Sequence, residues 1–168
     1  MRIIEKDIFD KSNDLNVIVH CCNCQNTMGS GIALQIKKKY PAAFEADTNV
    51  YEYYRHSGIP KQQLGKASFA KVDSDLWIVN LYGQYYYGVG EKQIDYEGFY
   101  QGLLSAKGII EKIRKENFFD KLNVGFPYKI GSDRAGGDWN IVSAMIASVF
   151  GNAPGIETSI YKLPNSPD

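Results

Sequence analysis

Apolar residues recur along the chain in short runs, and the stretches between them carry a helical period. Near the amino terminus "RIIEK" and "NVIVHCC" read as strands. The second is almost continuous in apolar and β-branched residues, as a strand covered on both faces should be. Gly31 to Tyr40 reads as a helix, with Ile32, Ala33, Ile36 and Tyr40 on one side. Lys37, Lys38 and Lys39 crowd its end, where cations suit the helix dipole. Pro41 limits that helix, and Ala42 to His56 gives another that ends before Gly58. "GKASFAKV" and "LWIVNLYG" read as two strands joined through "DSD" by a hairpin or short turn.

Residues 83 to 94, "GQYYYGVGEKQI", read as a loop with three glycines and three consecutive tyrosines. Asp95 is placed to cap a long helix running to about Glu116, with Phe99, Leu103, Leu104, Ile109, Ile110 and Ile113 as its buried stripe. "KLNVGFP" then reads as a buried strand, "YKIGSDRAGGD" as a second glycine-rich loop, and Trp139 to Phe150 as a helix. "IETSIYKLP" closes the pattern as a strand, with "NSPD" expected to fray. No internal repeat, linker or low-complexity segment interrupts this order. It predicts one domain over residues 1–168, α/β in class, with a mixed sheet between helical layers.

Composition narrows the function more than the fold. At 168 residues the chain can bury a core without metals or disulfides. Nineteen basic and nineteen acidic residues cancel to a formal charge of zero, so composition forces no basic face for duplex DNA or long RNA. A small anion held by backbone groups suits such a protein better. "MRIIEKDIFDK" is too charged for a signal peptide, and no apolar stretch approaches membrane-spanning length. Cys21, Cys22 and Cys24, an odd number crowded into four positions, suit reduced thiols in a cytoplasmic protein. No metal-ligand cluster appears in the pattern, so the expected chemistry needs neither metal nor cofactor.

Two glycine-rich turns sit at strand-to-helix junctions, "NTMGSGIA" before the first helix and "GSDRAGGDW" before the last. In open α/β sheets ligands gather at the carboxyl ends of strands. Amide groups at a helix start attract phosphate through their donors and the helix dipole. Glycine lets the backbone come close to the ligand. Neither turn is a Walker sequence or a full G-x-G-x-x-G, and either alone serves equally as a tight turn. Together they suit the two ends of a diphosphate.

The blocks "EKDIFD", "VIVHCCNCQNTMGSGIALQIKKKYP", "GEKQIDYEGF" and "PYKIGSDRAGGDWNIVSAMI" resemble those of a macrodomain, the ADP-ribose-binding fold. The resemblance runs from Ile3 to about Leu163. It is greatest to the compact branch that includes ADP-ribose-1''-phosphate phosphatases and ADP-ribosyl hydrolases. It implies a three-layer α/β/α sandwich with a mixed, mostly parallel sheet, and a monomer that binds ADP-ribose or its 1''-phosphate, or an ADP-ribosylated macromolecule. Asp7 and Ile8 then read adenine, with Tyr161 beside the ring. Met28, Gly29, Ser30, Gly31 and Ile32 contact the distal ribose and its phosphate through their backbone. The second loop, Gly131, Ser132, Asp133, Arg134, Ala135, Gly136 and Gly137, wraps the diphosphate. Each has a plainer reading: Asp7 as a solvated loop residue, Tyr161 as a half-buried core residue, Arg134 as an exposed loop side chain.

For catalysis the resemblance points to His20, Asn23 and Lys92. His20 shares its sequence context with the phosphatases, and a neutral imidazole can take or give a proton near pH 7. It can equally be a satisfied core histidine inside an apolar strand. Asn23 reaches the distal ribose or ties down its own turn. Lys92, in "GEKQ", steadies phosphate charge or is simply solvated, and Tyr85, Tyr86 and Tyr87 close over the sugar or anchor the loop. The glutamate-ADP-ribose hydrolases carry a lysine where Gln84 stands and an aspartate near Ala135, with Asp133 two residues early. Glutamine cannot form an imine with an opened ribose. The leading expectation is hydrolysis of ADP-ribose-1''-phosphate to ADP-ribose and phosphate. Release of ADP-ribose from protein or nucleic acid, and binding without turnover, are the alternatives.

Overall fold

The apolar run after Asn16 becomes β2 (Val17–Cys22), which has a parallel neighbour on each side, as burial of all but Cys21 requires. The computed structural model describes residues 1–88 and 90–168. Val89, inside the loop predicted over residues 83 to 94, lies outside the described residues. The remaining elements are β1 (Arg2–Glu5), α1 (Gly31–Lys39), α2 (Pro41–His56), β3 (Ala67–Asp73), β4 (Leu76–Tyr82), α3 (Tyr96–Glu116), β5 (Leu122–Pro127), α4 (Trp139–Phe150) and β6 (Ile156–Lys162). A short 3₁₀ turn, Pro60–Gln63, follows α2. No helix among the described residues is long and apolar enough to cross a membrane.

The strands order as β1-β6-β5-β2-β4-β3. Every pairing is parallel except that of β3 with β4, the predicted hairpin, so the sheet is mixed and mostly parallel. Side-chain alternation along β2 and β4 divides the core. Val17, Val19, Val79 and Leu81 pack under α3 and α4, with Phe99, Leu103, Ile110 and Ile146. Ile18 and Ile78 face the opposite layer and meet Ile36 of α1 and Ala43 of α2. The register sets His20 beside Asn80 and Cys22 beside Tyr82 on that second face.

Three expectations need correction. The buried stripe of α3 is Phe99, Gly102, Leu103, Ala106, Ile110 and Ile113, whereas Leu104 is exposed and Ile109 only half-buried. Small residues take places assigned to larger ones because the helix lies close to the sheet. A Cβ on Gly102 would stand 2.7 Å from Leu81. α1 ends at Lys39, and Tyr40 both closes it and begins α2, whose first residue is Pro41. The terminal "NSPD" turns back instead of fraying. The Ser166 N–H donates to the Leu163 carbonyl, and Lys162 pairs with Asp168.

Candidate functional site

All five parallel strands deliver residues from their carboxyl ends to one cleft of about 800 Å³. Asp7 and Ile8 come from the turn after β1, Tyr161 and Leu163 from β6, and Pro127 to Gly131 from the end of β5. Cys21, Cys22 and Asn23 come from β2, and Gln84 follows β4. From β1 to β4 is four strand spacings, so the cleft crosses about 19 Å of sheet.

The first glycine loop opens the start of α1 onto this cleft. Ser30 is the N-cap and makes no side-chain cap, and the first turn holds no acidic residue. The donors and the positive end of the dipole at α1 are therefore left to whatever fills the space beside Ser30, Gly31 and Ile32. Gly31 has φ +56°, a left-handed conformation that suits glycine. Met28 and Gly29 line the same wall. Asn23 also lines it, yet its side chain is tied locally. Its Nδ2 donates to Thr27 Oγ1 at 2.7 Å and its Oδ1 accepts from the Gln25 N–H at 2.8 Å. The turn-forming reading of Asn23 and its presence in the cleft hold together.

The second loop contributes differently from expectation. Gly131, Asp133, Arg134 and Ala135 line the cleft, whereas Ser132, Gly136 and Gly137 stand outside its lining and shape the loop. The Gly137 N–H donates to the Gly131 carbonyl at 3.0 Å, and a Cβ on Gly137 would fall 2.6 Å from that oxygen. The Ala135 carbonyl accepts from the N–H groups of Gln93 and Ile94, which clamps the loop from behind. The start of α4 is already occupied: Asp138 caps it by accepting from the Asn140 N–H at 2.8 Å. Among the described residues one helix start, that of α1, faces the cleft, and the second loop serves through its turn.

At the β1 end, Asp7 Oδ1 accepts from the Phe9 N–H at 2.9 Å, which shapes the turn and leaves Oδ2 for another partner. Tyr161 lines the cleft while packing with Ile8 and Ile18 in the core, so both readings of it apply.

The structure moves two catalytic candidates away from the cleft. His20 is fully buried on the α2 face of the sheet, absent from the cleft wall, with Nε2 at 2.6 Å from Asn80 Oδ1. Burial pulls its pKa from 6.5 down to about 4, against the raising effect of Asn80, so the ring is neutral at pH 7. It is a satisfied core histidine. Lys92 is exposed outside the cleft, its Nζ 4.3 Å from the centre of the Tyr96 ring. Gln84 and Ala135 both line the cleft, so the positions where the resemblance sets a lysine and an aspartate carry neither. Burial keeps the thiols protonated: it pushes Cys21 and Cys24 up to about 12 and raises Cys22 well above the ordinary thiol value.

One cleft residue escaped the sequence reading. Asp47, on α2, lines the cleft with 1% of its surface exposed. It accepts a hydrogen bond from the Tyr82 hydroxyl at 2.9 Å, and burial pushes its pKa up to about 6 despite that bond. The signal was available: Asp47 stands four residues after the buried Ala43, on the helix's inward face, where an aspartate is unusual.

No protein-family model matches the chain. The DNA ADP-ribosyl glycohydrolase of Mycobacterium tuberculosis is 28% identical over 151 residues, which are 88% of this chain and 38% of that protein. An ADP-ribose 1''-phosphate phosphatase of Aspergillus clavatus is 52% identical over 40 residues, 24% of this chain and 20% of the phosphatase. The chain thus spans less than half the length of these relatives. Among solved structures, the macrodomain of Mycobacterium tuberculosis DarG matches with a TM-score of 0.69 at 26% identity, covering 95% of this chain and 96% of that one.

Proposed function

The chain is a macrodomain, and on that premise we propose that its cleft binds ADP-ribose and hydrolyses conjugates at the distal ribose, with ADP-ribose-1''-phosphate as substrate. The observation that carries this is the meeting of both glycine loops in one cleft. The open start of α1 and the turn at Gly131 to Ala135 face the same space. Adenine lies at Asp7, Ile8 and Tyr161, the diphosphate between the loops, and the distal ribose at Asn23, Cys22 and Gln84. Phosphate release then needs an oriented water and donors for the phosphoryl oxygens, which the amides of the first loop and Asn23 supply.

A second reading, cleavage of ADP-ribose from nucleic acid, is favoured by the extent of the match to the mycobacterial glycohydrolase, 88% of this chain. One experiment separates them. The protein is incubated with ADP-ribose-1''-phosphate and with ADP-ribosylated DNA and protein, and free ADP-ribose is measured. Release from the phosphate ester alone supports the first reading, and release from DNA alone replaces it with the second. Absence of binding heat with ADP-ribose at millimolar concentration overturns both. ADP-ribose should also raise the melting temperature more than AMP does.

A further inference from the structure

Five buried side chains on the α2 face of the sheet form a hydrogen-bonded line that ends at the cleft. Asn80 Nδ2 donates to the Ala43 carbonyl at 2.9 Å, and a carbonyl can only accept, so the amide's orientation is fixed. Its Oδ1 therefore faces His20, and the hydrogen between them sits on Nε2. Asn80 Nδ2 also donates to Ser68 Oγ at 3.0 Å, which leaves the serine hydrogen for the Tyr82 oxygen at 2.8 Å. The Tyr82 hydroxyl, already accepting, donates to Asp47 Oδ1 at 2.9 Å. Every donor in the sequence His20, Asn80, Ser68, Tyr82, Asp47 points the same way.

A buried network of this kind is costly unless fully satisfied, and here it terminates on a carboxylate in the ligand cleft. We propose that Asp47 is the proton-handling carboxylate of this cleft, held in orientation by Tyr82 and the line of hydrogen bonds behind it. Tyr82, Ser68, Asn80 and His20 are positioning residues. This rests on the reading of the cleft as an ADP-ribose site.

Asp47 is bonded to Tyr82 at the end of β4 and lies near Cys22, on the side of the cleft where that reading sets the distal ribose. As a carboxylate it takes one proton from water while the water oxygen bonds to phosphorus. The bond from phosphorus to the ribose oxygen breaks, and its electron pair stays on that oxygen. Asp47 returns the proton there, which leaves ADP-ribose, inorganic phosphate and an unchanged carboxylate. The titratable groups facing Asp47 are Tyr82 on β4, Cys22 on β2 and Cys24 in the loop beyond. Arg55, further along α2, donates to Gln25 and to the Cys24 carbonyl. None of the salt bridges among the described residues involves Asp47. Burial dominates its titration and holds its pKa at about 6, basic enough to accept a proton and largely ionised above pH 7.

The test has two parts. Calorimetry of ADP-ribose binding at pH 6, in buffers of different ionisation heat, counts protons exchanged with solvent. The wild type should exchange a measurable fraction of a proton and Asp47→Asn none. In turnover of ADP-ribose-1''-phosphate, Asp47→Asn should lower kcat about 100-fold or more with KM little changed, and Asp47→Glu should recover part of it. Tyr82→Phe removes a hydrogen bond to the charged form, so the acid limb of the kcat profile should move to higher pH. Equal proton exchange in wild type and Asp47→Asn, kcat within about threefold, or an unmoved acid limb in Tyr82→Phe each overturns the proposal. A wild type that binds ADP-ribose but turns nothing over also overturns it. A wild type that binds no ADP-ribose overturns the site reading itself.

Discussion

The guanidinium of Arg134 lies over Gly31, so close that a Cβ built on the glycine would stand 3.5 Å from Arg134 Nε. These residues belong to the two glycine loops, more than a hundred positions apart in the chain, and their contact joins the two turns along the wall of one cleft. Gly31 contributes a left-handed backbone at the start of α1, and Arg134 brings a positive charge against it. Gly31→Val should cost about 1–2 kcal/mol through backbone strain alone. It should also push the arginine aside and weaken ADP-ribose binding about tenfold or more. Arg134→Ala should lose a similar factor in affinity with little change in stability. Calorimetry with denaturant unfolding separates the two effects.

Gly137 tests the second loop without touching the cleft. Its substitution by alanine sets a Cβ 2.6 Å from the Gly131 carbonyl, which is backbone and cannot rotate away. The loop must open, and Gly131 to Ala135 must move with it. Gly137→Ala should therefore lower ADP-ribose affinity several-fold while costing about 1–3 kcal/mol of stability. Unchanged affinity would show that the loop's closure does not matter to the ligand.

The end of α3 offers a stabilising change. Phe119 N–H bonds back to the Arg114 carbonyl and Phe118 N–H to that of Lys115, a Schellman closure. Phe118 fills its left-handed position at φ +57° with 93% of its surface exposed. Glycine suits that conformation and nothing packs on the ring, so Phe118→Gly should stabilise by about 1 kcal/mol. Denaturant titration reads this, and ADP-ribose binding should stay unchanged.

The elements were open to sequence reasoning because their signals are local. Apolar runs, Asp95 before α3 and three lysines at the end of α1 each act within a few residues. The loops were visible for the same reason. What sequence could not show is which way a strand residue points. His20 has the right neighbours for a catalytic histidine, yet alternation along β2 turns it with Ile18 and Cys22 toward α2, and register with β4 gives it Asn80. Lys92 depended on the path of a loop with no periodicity. Asp47 was overlooked because an aspartate in an amphipathic helix passes as a surface residue until its spacing from Ala43 is weighed.

His20 and Asp47 should pull stability in opposite directions as pH falls. His20 is protonated below 6.5 when unfolded but only near 4 when folded, so the unfolded state binds more protons between those values. Its contribution, about 3 kcal/mol, is present at neutral pH and lost as pH falls from 6.5 to 4. Asp47 is the reverse: its folded pKa of about 6 lies above the ordinary 3.8, so the folded state binds more protons between about 4 and 6. Its ionisation costs the fold up to about 3 kcal/mol above pH 6, and the cost disappears as pH falls toward 4. Urea unfolding from pH 4 to 7.5 should show Asp47→Asn gaining on the wild type most above pH 6 and losing that advantage near pH 4. His20→Gln should be less stable than the wild type at pH 7.5 and close the gap as the solution is acidified. Parallel curves for wild type and Asp47→Asn would mean that the carboxylate titrates as freely in the fold as in the open chain, and that water reaches it.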